Sequence, residues 1–92
     1  MPEKPLYEKK VGYTYRLYPN RLEIRPPALL SKKITTILVR SISRVEIRSF
    51  NDQLYVITRD NETHTLFGIT GPDAHKMRAA ILLLVDVIHQ VI

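Results

Sequence analysis

Along most of the chain, apolar and polar residues alternate in short runs, the period of strands that bury one face. Val11 to Tyr18 sets Tyr13, Tyr15 and Leu17 against Thr14, Arg16 and Tyr18. Pro19-Asn20 is a turn dipeptide, and Arg21 to Arg25 resumes the alternation with Leu22 and Ile24 on one face. The two runs predict a hairpin. Pro26-Pro27 ends it, because neither proline donates to a ladder. Ile34 to Arg40 is β-branched and free of breakers, so it reads as a strand. Ser41 to Ser43 reads as a short connector, and Arg44 to Ser49 alternates about Val45 and Ile47. Gln53 to Arg59 sets Leu54, Val56 and Thr58 against Tyr55 and Ile57, and Thr63 to Ile69 is the last strand. Phe50-Asn51-Asp52 predicts a turn, and Asp60-Asn61 a two-residue hairpin connection.

At Thr70 the period changes to that of a helix. Thr70 or Gly71 serves as N-cap, Pro72 suits the first turn, and Asp73 puts negative charge at the positive helix end. Met77, Ile81, Leu84, Ile88 and Val91 fall on one stripe, flanked by Ala74, Ala80, Val85 and Val87. His75, Arg78, Asp86, His89 and Gln90 lie on the other side. Leu82 and Leu83 fall outside the stripe with Ala79 between them, and the chain ends on Val91-Ile92 with no polar tail. A helix in water on its outer side does not account for two leucines there. Ala79, Leu82, Leu83, Asp86 and Ile92 are therefore the candidate interface, and the expected state is a homo-oligomer.

The architecture that follows is mainly β with one C-terminal α-helix. Short turns suit an antiparallel meander, and no intervening helix allows parallel crossovers. We expect a curled antiparallel sheet, a partial barrel of about six or seven strands, capped by the helix. Residues 1–10 hold two prolines and five charges and read as an N-terminal tail or arm; residues 11–92 read as a single domain.

Length and composition agree with this. The chain has 92 residues, enough for one modest core, with ordinary globular fractions of hydrophobic (45%) and charged (25%) residues. It has no cysteine, which removes disulfides, thiolate metal sites and a Cys nucleophile together. The net charge of +5 raises nucleic acid or an anionic membrane surface as partners. Yet Arg21-Leu22-Glu23-Ile24-Arg25 and Arg44-Val45-Glu46-Ile47-Arg48 each interleave a Glu between two Arg, the pattern of a solvated face with cross-strand pairing. The N-terminus lacks the apolar core of a signal peptide, and the longest apolar run, Ala79 to Val85, falls short of the roughly 18 residues that span a bilayer. A cytoplasmic location is the expectation.

Four stretches resemble a known family: Asn20-Arg21-Leu22-Glu23-Ile24 after a turn, Ile37 to Glu46, the hairpin Leu54 to Asn61, and the helix entry Ile69 to Ala74. Together they are similar to the pleckstrin-homology-like domains, most of all the small bacterial ones, from about Val11 to the end. The resemblance implies a non-enzymatic binding role. Some members bind phosphoinositides through a basic loop between the first two strands. The position matched here, Tyr18-Pro19-Asn20-Arg21, is short and holds one Arg, so that motif does not carry over. Ile42 and Val45 are expected to pin a corner, with Ser41 and Ser43 leaving room and bonding the local backbone.

Candidate chemistry is sparse. His75 and His89 are about four helical turns apart and cannot share a metal, and His64 lies on a strand. Asp52, Asp60 and Asp73 sit where turns and a helix start use them. There is no phosphate-cradling glycine loop and no nucleophile motif. No catalytic residue, metal or cofactor is assigned. Tyr13, Tyr15 and Tyr18 with Arg16 could stack bases, but Tyr13 and Tyr15 share a face with Leu17, which argues for core rather than nucleic acid. The functional expectation is a protein-interaction or self-assembly module. The alternative is a peripheral binder of anionic membrane lipid through the loop bearing Leu29, Leu30, Lys32 and Lys33.

Overall fold

Tyr7, Lys9 and Val11 turn partly inward while Glu8 and Lys10 face solvent, and this alternation builds the first strand, β1 (Tyr7–Val11). In the computed structural model, which describes residues 3–48 and 52–91, β2 (Tyr13–Leu17), β3 (Arg21–Arg25), β4 (Thr35–Leu38), β5 (Ile42–Arg48), β6 (Gln53–Thr58) and β7 (Thr63–Thr70) follow, then the helix α1 (Gly71–Val91). The expected turn at Phe50-Asn51 and the terminal Ile92 lie outside the described residues, as does the side chain of Val91.

The tail expected through Lys10 stops at Tyr7. Residues from Tyr7 onward pair antiparallel with β2, from Tyr7 opposite Leu17 to Val11 opposite Tyr13. Gly12, at φ +89°, makes the reversal, a conformation that L side chains rarely adopt. Lys9 Nζ also meets Asp73 Oδ2 at 3.0 Å, tying β1 to the start of the helix. The connection between the first two strands is thus Gly12, and Tyr18 to Asn20 joins β2 to β3.

The strands form two antiparallel sheets, in the orders β1-β2-β3-β4 and β5-β6-β7. One curled sheet was the expectation. The break comes where Ile34 to Arg40 fails to remain a strand: the Val39 amide still bonds Asn20 O at 2.9 Å, but Val39–Ser41 then wind into a 3₁₀ turn. The Ser41 hydroxyl donates to Leu38 O at 2.7 Å, as expected of a serine at this corner. A register shift between Ile42 and Arg44 follows, and Ile42 and Val45 are buried. The β6–β7 connection also differs from expectation. Asn61 sits at φ +67°, its amide bonds Thr58 O, and Thr58 N bonds Glu62 O, so a three-residue turn replaces the two-residue one.

The core lies between the two sheets and beneath the helix. Leu17, Leu22, Ile42, Leu54, Leu66 and Ile69 meet there with Tyr15, whose hydroxyl donates to Phe67 O at 2.7 Å. Burial pushes the Tyr15 phenol well above its ordinary pKa, and the neighbouring Tyr13 adds to the shift. Strand β6 is buried on both faces, Leu54 through Thr58, because it is the middle strand of its sheet. Helix α1 seats on β5 and the 3₁₀ turn, with lesser contact to β6 and β7.

Candidate functional site

The helix starts where the sequence places it. Gly71 takes φ +58°, Pro72 and Asp73 follow, and Asp73 is held by Lys9. Its seam is rotated from the expected stripe. Ala74, Met77, Ile81 and Val85 are buried, whereas Leu84 and Ile88 are half-buried. The rotation follows from the seat on β5: the Arg78 guanidinium Nε donates to Val45 O at 3.0 Å and holds that side of the helix against the strand.

The five candidate interface residues separate. Ala79, Leu83 and Asp86 are exposed on one face, with Leu83 exposed to 66%. Leu82 packs against the core and leaves the patch, since one residue of rotation, about 100°, brings it down toward the sheets. Ile92 lies outside the described residues. Val87, expected on the buried flank, is 48% exposed and joins the outer row instead. Ala79, Leu83 and Val87 stand at four-residue spacing, so they form a continuous apolar stripe along the outside of the helix.

The loop between β3 and β4 is the second surface. Leu30 N and Ser31 N both bond Pro27 O, at 2.9 and 3.2 Å, and Lys33 N bonds Ser31 Oγ at 3.0 Å. This turn presents Leu29 fully to solvent and Leu30 at 70% exposure, beside exposed Lys32 and Lys33. The sheet register enlarges the basic neighbourhood. Arg25 lies opposite Thr14, and Thr14 lies opposite Lys10. Lys10, Arg25, Lys32 and Lys33 thus share one end of the first sheet, and none has a carboxylate partner among the described residues. Sequence reading found the loop but not Lys10 and Arg25, whose approach depends on strand pairing.

A cleft of about 670 Å³ opens between β4 and the β6–β7 turn. Several of its polar groups are tied to neighbours. Thr58 donates its hydroxyl to Asp60, which holds that carboxylate below its ordinary pKa; Glu62 Oε2 meets His64 Nε2 at 3.5 Å. Arg59 Nη2 lies 3.0 Å from His89 Nε2. The three histidines stay apart, and no group of three potential metal ligands converges among the described residues. Tyr15 is buried, Tyr13 packs on Tyr15 and Phe67, and the Arg21 guanidinium covers Tyr18 at 4.1 Å. Among the described residues no helix is long and apolar enough to cross a membrane. No family model, no curated protein and no solved structure matches this chain.

Proposed function

We propose that this chain is a non-enzymatic protein-interaction and self-assembly module of pleckstrin-homology-like architecture, working through the outer face of α1. Four antiparallel strands, then three, then a C-terminal helix support the fold reading. The observation that carries the functional reading is the outward stripe of Ala79, Leu83 and Val87. A single exposed leucine is ordinary. A row of apolar side chains along a helix gains free energy when a partner removes it from water, at about 25 cal/mol per Å².

Sedimentation equilibrium checks this. The wild type is expected to exceed the 10.7 kDa monomer mass at micromolar concentration, and Leu83→Glu with Val87→Glu to return it to 10.7 kDa with an unchanged circular dichroism spectrum. A wild type that stays at monomer mass at high concentration overturns the reading.

A second reading rests on a separate observation, the fully exposed Leu29 among four basic residues. An apolar tip inserts into the acyl boundary while cations above it meet acidic headgroups, at about 1 kcal/mol per Lys or Arg. Vesicles of phosphatidylserine and phosphatidylcholine at low salt are expected to pellet the protein, and Lys32→Glu with Lys33→Glu to reduce the bound fraction about tenfold or more. Leu29→Ser should reduce it as well. Absence of pelleting at low salt removes this reading and leaves the first one standing.

A further inference from the structure

We infer that the surface α1 binds is the α1 of a second copy of this chain, docked antiparallel about a two-fold axis at the level of Ile81. This rests on the self-assembly reading above. The outer face is not only apolar. At about 100° per residue, Lys76, Ala79, Leu83, Asp86, Val87 and Gln90 share one broad stripe, and all are exposed. Lys76 and Asp86 bracket Ala79 and Leu83, roughly 15 Å apart along the axis, and Val87 lies one residue beyond Asp86, where the antiparallel register sets it against His75 of the partner subunit. Neither has a partner of opposite charge among the described residues.

That bracket is complementary to itself when reversed. In an antiparallel pair centred at Ile81, Lys76 stands opposite Asp86 of the partner subunit, and Asp86 opposite Lys76 of the partner subunit. The same register sets Leu83 against Ala79 of the partner subunit. A large side chain thus faces a small one on both sides of the axis, the pairing that lets helices approach to about 8–10 Å. The two helix dipoles also run in opposite senses. A parallel pair puts Lys76 beside Lys76 and Asp86 beside Asp86, which opposes association. A two-fold axis uses the same patch on both copies, and this patch has the symmetry that requires.

Charge reversal tests the arrangement by sedimentation equilibrium. Lys76→Glu alone and Asp86→Lys alone each place two like-charge pairs across the axis and should raise the dissociation constant about tenfold. Lys76→Glu combined with Asp86→Lys restores both pairs with their signs exchanged and should bring the constant back to within about threefold of wild type. Circular dichroism of each variant confirms that the fold is intact. Association that Leu83→Glu abolishes, but that neither single reversal weakens, overturns the antiparallel pairing and leaves the helix-face reading in place. Single reversals that weaken association without rescue in the double variant also overturn it. A wild type that never associates overturns both.

Discussion

Ile81→Ala is expected to lower the free energy of unfolding by about 2–5 kcal/mol, a large part of what a domain of this size holds. Ile81 is completely buried at the middle of the helix seam, between Met77 and Val85. Its truncation removes apolar contact in the core beneath the helix, and a close-packed interior relaxes only partly around the space left. The control is Leu83→Ala, two residues on and 66% exposed, which should change stability by less than about 0.5 kcal/mol. Leu84→Ala, half-buried, should fall between them. Urea unfolding followed by circular dichroism checks all three at a concentration below that of self-association. A cost for Leu83→Ala as large as that for Ile81→Ala would mean that the helix turns its other side to the core.

The second large effect is expected at Gly68→Ala, at about 2–4 kcal/mol. Gly68 lies inside β7 at φ +83°, so any side chain meets backbone strain there. Space is also lacking: a methyl would stand 2.8 Å from Val11 Cγ2 and 3.2 Å from Val11 O. This is where β7 of the second sheet comes up against β1 of the first. Gly12→Ala separates the two causes. Gly12 has a similar φ of +89° but nothing within 4 Å, so its substitution carries the strain alone, about 1–2 kcal/mol. The difference between the two alanine variants, read from chemical denaturation midpoints, measures the crowding between β1 and β7. Equal costs would show that the two strands do not touch.

Both predictions depend on information that the chain order carries unevenly. The helix was legible because its start signals and its period agree. Gly71, Pro72 and Asp73 are local instructions, and a stripe recurring every three or four residues has one plausible backbone. The alternation of Tyr15 and Leu17, and of Leu22 and Ile24, likewise marks buried faces that the structure retains. Strand β1 was not legible. Its five residues, Tyr-Glu-Lys-Lys-Val, follow a proline and carry three charges, so they resemble an arm. They become a strand because β2 offers them a ladder and the core takes Tyr7 and Val11, with Asp73 offering Lys9 a partner. The corner at Val39–Ser41 was hidden for the opposite reason. Ile34 to Arg40 has strand propensity throughout, and tertiary packing of Val39 and Ile42 overrode it.

The candidate surfaces divide along the same line. The sequence by itself determined that α1 exists, where it begins, that it has more apolar side chains than one seam uses, and that the β3–β4 loop carries two leucines and two lysines. These follow from spacing along the chain, since side-chain direction in a helix or tight turn is set within a few residues. Only the tertiary structure decided that Leu82 is covered while Leu83 and Val87 are not, and that Lys10 and Arg25 stand at the same sheet end as Lys32 and Lys33. Adjacent helix positions differ by about 100°, and which of them is buried depends on how the helix rolls on β5. Burial of Ala74, Met77, Ile81 and Val85 sets that roll, and Arg78 adds a bond to Val45 O, a contact between residues 33 positions apart that no local pattern encodes.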